Sequence, residues 1–144
     1  MIREITTDDQ NDLLNLYRQL RSQEIINEFQ FSEKLNYILT LDHIKIIGFE
    51  NNNHIVASSM VAKIDGLSYG SRSFAIIENV ITDKLMRNNG YGKLVVKKCI
   101  EIANAWNCYK VILETGSKEN LKLQFYTDCG FTIGEKTAFI KRFE

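Results

Sequence analysis

The stretch Phe74-Ala75-Ile76-Ile77-Glu78-Asn79-Val80-Ile81-Thr82 leads, four residues later, into Arg87-Asn88-Asn89-Gly90-Tyr91-Gly92 and then Lys93-Leu94-Val95-Val96. Its first part is β-branched and apolar, the pattern of a strand. After the glycines, Leu94, Val95, Cys99, Ile102 and Trp106 recur at helical spacing, which predicts an amphipathic helix from about Gly90 to Asn107. The first N–H groups of a helix have no partner inside it, so a strand-loop-helix handover of this kind gathers free donors at the end of the strand. Those donors and the helix dipole suit an anion, and glycine at 90 and 92 removes side chains that would keep a pyrophosphate away from the main chain. An ordinary turn before a glycine-rich helix start has the same composition. Other nucleotide loops fit poorly: the third position of G-x-G-x-x-G falls on Val95, and no G-x-x-x-x-G-K-[ST] occurs.

Upstream of this stretch, Ile44 to Phe49 and Ile55 to Ile64 are apolar runs joined by Asn51-Asn52-Asn53, a predicted hairpin. Asp65 to Ser71 reads as a turn into Phe74 to Thr82, the third strand of an antiparallel meander. Earlier still, Ile2 to Thr6 reads as a strand and Thr7-Asp8-Asp9-Gln10 as a capping box opening a helix with Leu13, Leu16, Tyr17 and Leu20 on its apolar face. Ser32 is the expected cap of a second helix carrying Leu35, Tyr37 and Leu39. Downstream, Val111 to Thr115 reads as a short buried strand and Asn120 to Cys129 as a helix stopped by Gly130. Two strands, near Phe131 to Gly134 and Ala138 to Phe143, are expected to finish the sheet. The resulting order, β-α-α-β-β-β-α-β-α-β-β, predicts an α+β chain with a mixed, mostly antiparallel sheet of six to seven strands and about four helices on both faces. One helical crossover joins parallel neighbours.

The chain has 144 residues, 44% of them hydrophobic and 25% charged, enough for one core and too short for two ordinary domains, so residues 1–144 are expected to form a single domain. Eighteen basic and eighteen acidic residues cancel; no overall field gathers nucleic acid or anionic lipid, and a small-molecule partner is expected. Cys99, Cys108 and Cys129 show no C-x-x-C spacing, which suggests reduced, mostly buried thiols and a cytoplasmic location. No segment reads as a signal peptide or a membrane span. His43 and His54 are expected at the surface, since two histidines alone leave a zinc site incomplete, and no metal is expected.

Arg87-x-x-Gly90-x-Gly92, following a strand and opening a helix, resembles the R/Q-x-x-G-x-G/A motif of the GNAT superfamily of N-acetyltransferases. The resemblance runs from about Phe74 to Phe131 and includes Phe125-Tyr126-x-x-Cys129-Gly130-Phe131. Within the superfamily, Ile77-Glu78-Asn79-Val80, Asn107-Cys108-Tyr109-Lys110-Val111 and Phe125-Tyr126 look most like the glucosamine-6-phosphate acetyltransferase branch. The spacer between Glu114 and Tyr126, with Thr115-Gly116-Ser117-Lys118, is longer than in those enzymes and resembles unspecialised bacterial members. The resemblance implies acetyl transfer from acetyl-CoA to a primary amine by direct attack, with the cofactor held by Val80, Ile81, Arg87, Asn88, Asn89, Gly90, Tyr91, Gly92, Lys93, Asn120 and Tyr126. It also implies a backbone N–H near Val80 that polarises the acetyl carbonyl, aided by a bulge that splays this strand from the next.

Three side chains are candidates for the chemistry. The resemblance places Tyr126 near the thioester sulfur as proton donor, although a tyrosine beside Phe125 on an amphipathic helix can be core. Glu78 alternates with Phe74, Ile76 and Val80, so it is expected among apolar neighbours, where burial raises an acid's pKa and suits a general base. A cross-sheet partner or solvent would make it structural. Glu114 occupies the position of an acid that orients the acceptor in the sugar-phosphate branch, or is a solvated strand end. A noncatalytic acetyl-CoA-binding module and a protein or peptide acetyltransferase are the rival readings. The apolar segment Phe139 to Phe143 could pair with a second subunit.

Overall fold

The computed structural model describes residues 1–144. The chain forms two compact units, Met1–Leu113 and Glu114–Glu144. The first unit holds β1 (Ile2–Glu4), α1 (Gln10–Leu20), α2 (Glu28–Ile38), β2 (Ile44–Asn51), β3 (His54–Ile64), the single turn α3 (Ser68–Ser71), β4 (Phe74–Thr82), α4 (Tyr91–Ala105) and β5 (Val111–Leu113), with a 3-10 turn at Thr7–Asp9. The strands lie in sequence order in one sheet. The pairs up to β4 are antiparallel, and β4 with β5, across the α4 crossover, is parallel.

The meander and crossover form as expected, because both faces of the central strands are apolar. On β2, Ile46 packs in a cluster with Ile5, Leu13, Leu16, Leu35, Ile55 and Ile81, the face covered by α1 and α2. Its neighbour Ile47 points the other way and pairs with Ser59. Ser59 hydrogen-bonds the buried Cys99 of α4, whose thiol is pushed up to about 12 by burial, the hydrogen bond opposing. Helices therefore cover both faces of this sheet. All three cysteines are buried.

Several boundaries differ from the sequence reading. The capping box lies one residue earlier than expected, between Thr6 and Asp9: Thr6 N donates to Asp9 Oδ2 at 2.8 Å, and a main-chain turn bond from Asp9 N to Thr6 O, 3.1 Å, accompanies it. The cause is Arg3, whose guanidinium holds the Asp9 carboxylate by two bonds of 2.7 and 2.8 Å and also reaches Glu50. Ser32 is not a cap. Asn27 begins α2, its Oδ1 accepting from Gln30 N at 3.0 Å, and the helix buries Leu35 and sets Phe31 edge-on against Tyr17 while Tyr37 stays exposed. Asp65 to Ser71 is more than a turn, containing α3 with Tyr69, Gly70 and Ser71 at positive φ.

The sheet has five strands, not six or seven. Instead of reaching Thr115, β5 ends at Leu113, and Ile112 is exposed rather than buried. Residues 131–144 form no strand. The apolar residues there are Phe131, Ile133, Ala138, Phe139, Ile140 and Phe143, and in the second expected segment the adjacent Phe139 and Ile140 would face opposite ways on a strand. Gly134, at φ +78, turns the chain between the two expected segments. There are five helices rather than about four, the extra one being α3.

In the second unit, α5 (Asn120–Asp128) ends as anticipated at Gly130, φ +103. Phe131 N donates to Tyr126 O at 3.2 Å and Gly130 N to Thr127 O at 3.0 Å, a Schellman arrangement that satisfies two terminal carbonyls. The Tyr126 and Phe131 rings meet edge to face across it, 6.4 Å apart.

Arg3 and the Thr6 amide hold the Asp9 carboxyl below its ordinary pKa, the Arg3 hydrogen bonds being the main cause and burial opposing them. A depressed native pKa contributes stability that is complete above the unfolded value, about 4, and disappears as the pH falls toward the native one. Asp9→Asn is therefore expected to lose about 1.5–3 kcal/mol at pH 7, the size of a hydrogen bond to a charged group. Urea unfolding of both proteins should show this gap narrowing below about pH 4.

Candidate cofactor and acyl-transfer site

The site begins with an irregularity in β4. On β3, Met60 faces Glu78 and Ser58 faces Ile81, so Asn79 and Val80 stand opposite Ser59 alone. This is the expected bulge. Asn79 takes φ +58, a left-handed conformation that asparagine tolerates better than most residues. Ser59 Oγ donates to the Glu78 carbonyl at 3.3 Å, giving the displaced main chain a partner.

On its other side β4 pairs with β5 only from Ala75 to Ile77, opposite Val111 to Leu113. From Glu78 to Thr82 no strand lies beside that edge. An unpaired parallel edge offers N–H and C=O groups to an extended ligand, as an added strand would use them. Val80 and Ile81 sit on this edge, Val80 half-buried and Ile81 buried by α1.

The chain then turns through Asp83 to α4. Asn88 and Gly90 both have positive φ, +66 and +79, and Gly90 caps the helix. The Asn89 side chain braces the loop by donating to Met86 O at 3.0 Å and Arg87 O at 3.3 Å. The first bond of the helix is Leu94 N to Gly90 O, 3.1 Å, so the N–H groups of Tyr91 and Gly92 lie ahead of it. No atom lies within 4 Å of where a Gly90 Cβ would stand, so the space above these donors is open. Gly92 is buried. Tyr91 stacks on Phe49 of β2 with centroids 4.1 Å apart and pins the helix start to the sheet. Arg87 is exposed, with Nε 3.4 Å from Thr82 O, and Lys93 is half-buried. Lys84, Arg87, Lys93, Lys97 and Lys98 against the single acid Asp83 give residues 83–98 a positive balance, and the helix dipole adds to it. These residues fit a phosphate-bearing cofactor.

Glu78 is not where the sequence reading put it. It is exposed. Strand alternation holds as far as Glu78, but the face it shares with Phe74 and Ile76 is the less covered one: Ala75 and Ile77 are buried while Phe74 and Ile76 are only half-buried, so no apolar enclosure surrounds Glu78. The group that burial does affect nearby is Tyr17 on α1. Burial pushes its hydroxyl up, a hydrogen bond with Asn79 opposes this, and the charge of Glu78 adds to it. The first unit thus brings together Glu78, Val80, Ile81 and the loop from Arg87 to Lys93.

Glu114, Asn120 and Tyr126 belong to the second unit. Glu114 is exposed just past β5, Asn120 is the exposed first residue of α5, and Tyr126 is half-buried with its ring edge-on to Phe125 at 5.0 Å. Ser59, Phe49, Asn15, Gln19 and Asp83 support the site without having been read from sequence. Each relies on a partner distant in the chain. His54 is exposed with Nδ1 3.1 Å from Asp12, and His43 is exposed.

Comparison with known proteins gives a consistent result. A family model described as the acetyltransferase (GNAT) family matches residues 5–131. A glucosamine 6-phosphate N-acetyltransferase of Trypanosoma brucei brucei is 32% identical over 92 residues, 64% of this chain and 60% of that enzyme. Among solved structures, a candidate acetyltransferase from Agrobacterium tumefaciens superposes with TM-score 0.92 at 30% identity, covering 99% of each chain. Arabidopsis thaliana glucosamine-6-phosphate N-acetyltransferase superposes at 0.87 with 24% identity, over 100% of this chain and 98% of that one, a likeness of fold.

Proposed function

Since the chain belongs to the acetyltransferase (GNAT) family, a family of N-acetyltransferases, we propose that it transfers an acetyl group from acetyl-CoA to a primary amine of a small molecule by direct attack. The observation that carries this reading is the unpaired edge of β4 running into the open helix start at Gly90. An extended thioester arm fits the first and a pyrophosphate the second. The family match runs across both units, which supports residues 1–144 acting as one catalytic domain.

Acetyl-CoA supplies the acetyl group as a thioester. The main-chain amides of Tyr91 and Gly92, with Arg87, Asn88, Asn89, Lys93 and Asn120, hold its polar end, and Ile81 borders its arm. The Val80 N–H donates to the carbonyl oxygen as that oxygen gains charge, a stabilisation larger in the transition state than in the ground state. Glu78 removes the proton of an ammonium acceptor, directly or through water, its exposure keeping it reachable. Tyr126 gives its proton to the departing sulfur, and Glu114 orients the acceptor.

A second reading, glucosamine 6-phosphate as the acceptor, is favoured by the trypanosome enzyme, although the match spans 60% of that protein's length. The longer Thr115–Lys118 spacer argues for a different amine. No helix is long and apolar enough to cross a membrane, in keeping with a small-molecule acceptor. Phe139 and Phe143, 92% and 89% exposed, suit cover by a second copy of the chain.

Acetyl-CoA should raise the melting temperature, since a ligand selective for the native state stabilises it. Gly90→Asp with Gly92→Asp should abolish the rise, because both changes put negative charge at the helix start. A panel of amines that includes glucosamine 6-phosphate, read by released thiol, identifies the acceptor. On that acceptor Tyr126→Phe should lower turnover by about 100-fold or more, the lower end for a general acid, with little change in acetyl-CoA affinity. Normal turnover would make Tyr126 a packing residue. Light scattering should find a dimer that Phe139→Asp with Phe143→Asp dissociates; a monomeric wild type removes the case for a second copy.

A further inference from the structure

The anion loop does not hold its first turn alone. Its start at Asp83 and Lys84 makes six hydrogen bonds, four of them to other elements, and three of those four involve side chains of α1. Gln19 Nε2 and Asn15 Nδ2 both donate to Asp83 Oδ2, each at 3.3 Å, and Gln19 Oε1 accepts from Lys84 N at 2.9 Å. The other Asp83 oxygen, Oδ1, accepts from Leu85 N at 2.9 Å. The Asp83 main chain completes the knot, its N donating to Val56 O and its O accepting from Met86 N, both at 2.8 Å. Asn15 and Gln19 are one helical turn apart and share a face of α1. That helix is itself immobilised by Leu13 and Leu16, 1% and 0% exposed in the core.

We propose that Gln19, assisted by Asn15, is a positioning residue that acts through Asp83 to hold the Asp83–Gly92 loop in the anion-binding shape before the cofactor arrives. The purpose assigned to it rests on the acetyl-CoA reading above. The chemistry of the side chains supports the assignment. A primary amide offers a donor and an acceptor on one rigid plane, so Gln19 alone can bridge the Asp83 carboxylate and the next residue's N–H. Leucine keeps the apolar stem and carries neither group, and glutamate keeps only the acceptor while facing Asp83 with like charge. Beyond the knot the loop passes through two left-handed residues, Asn88 and Gly90, and is braced locally only by Asn89. With its start released, the stretch from Lys84 to Asn89 that leads into the Gly90 cap loses its tie to α1, while Tyr91 stays stacked on Phe49. A loop that must be ordered by its ligand binds more weakly, because the ordering cost is met at the moment of binding.

The test uses the full chain, with acetyl-CoA as probe. In Gln19→Leu, amide hydrogen exchange across Lys84–Gly92 should quicken by about tenfold without ligand, and the acetyl-CoA Kd should rise by a similar factor, the effect of roughly one lost hydrogen bond. Exchange in β2 and β3 should stay as in wild type. The paired change Gln19→Glu with Asp83→Asn, which reverses the donor and acceptor across the contact, should recover much of both losses, whereas Gln19→Glu alone should be worse than Gln19→Leu. Wild-type exchange across Lys84–Gly92 in Gln19→Leu overturns the clamp whatever the binding result. Faster exchange with unchanged affinity overturns it as well, since the cofactor would then select the loop shape unaided. Quickening that spreads into β2 and β3 would mean general destabilisation and also sink the proposal. A wild-type protein that does not bind acetyl-CoA instead overturns the functional reading, while the exchange data still judge the clamp.

Discussion

Past Ile77 the main chain of β4 has a neighbour on one side only, and the groups on its open side depend on something other than the sheet for their partners. Everything placed around that edge is consistent with the constraint. The bulge at Asn79 and Val80 turns the strand locally, Ser59 satisfies the carbonyl this displaces, and Arg87 reaches back to Thr82 O. A few residues further on, the loop delivers a helix start whose amides are likewise unspent. The chain thus concentrates unsatisfied polar backbone in one region while burying Ile55 to Ser59 on β3 almost completely. Such a concentration is costly in an ordinary surface and useful where a long polar ligand must lie along the protein.

The rigidity this needs comes from α1 and α4, on opposite faces of the sheet. Leu13 and Leu16 fix α1, whose polar side presents Asn15 and Gln19 to the loop and whose Tyr17 stands beside Asn79 and Glu78. On the other face, Tyr91 against Phe49 and the buried Val95, Val96 and Cys99 fix α4. The open edge is therefore shaped from both sides of the sheet.

How much of this was legible depended on the range of the forces involved. The Phe74–Thr82 strand, the α4 helix and the parallel crossover were readable because apolar periodicity and glycine placement are local properties. The Gly130 stop was readable for the same reason. The capping box slipped by one residue because Arg3, outside the four-residue motif, competes for Asp9. The last two strands were overread: an apolar run resembles a strand, but adjacent Phe139 and Ile140 give no single face to bury. Glu78 was misjudged because alternation says which residues share a strand face, not how deeply that face is covered, and the one holding Phe74 and Ile76 is the shallower; the left-handed asparagine at position 79 likewise announces itself only in three dimensions. Gln19, Asn15 and Ser59 carried no local signal at all, each meeting partners on other elements.

On the acetyl-CoA reading, the cofactor half of the site would face its ligand largely with main-chain amides, and a genetic code cannot delete a main-chain amide short of proline. Inheritance can reach this part of the protein only indirectly, through the few residues that decide how the chain bends: Asn79, Asn88 and Gly90, each at positive φ. Those positions admit little beyond glycine, asparagine and aspartate. Rim side chains to which that reading gives no contact with the cofactor can drift without touching the main-chain donors, so a lineage could change the surface of the rim while the main-chain part of the grip is passed on unchanged.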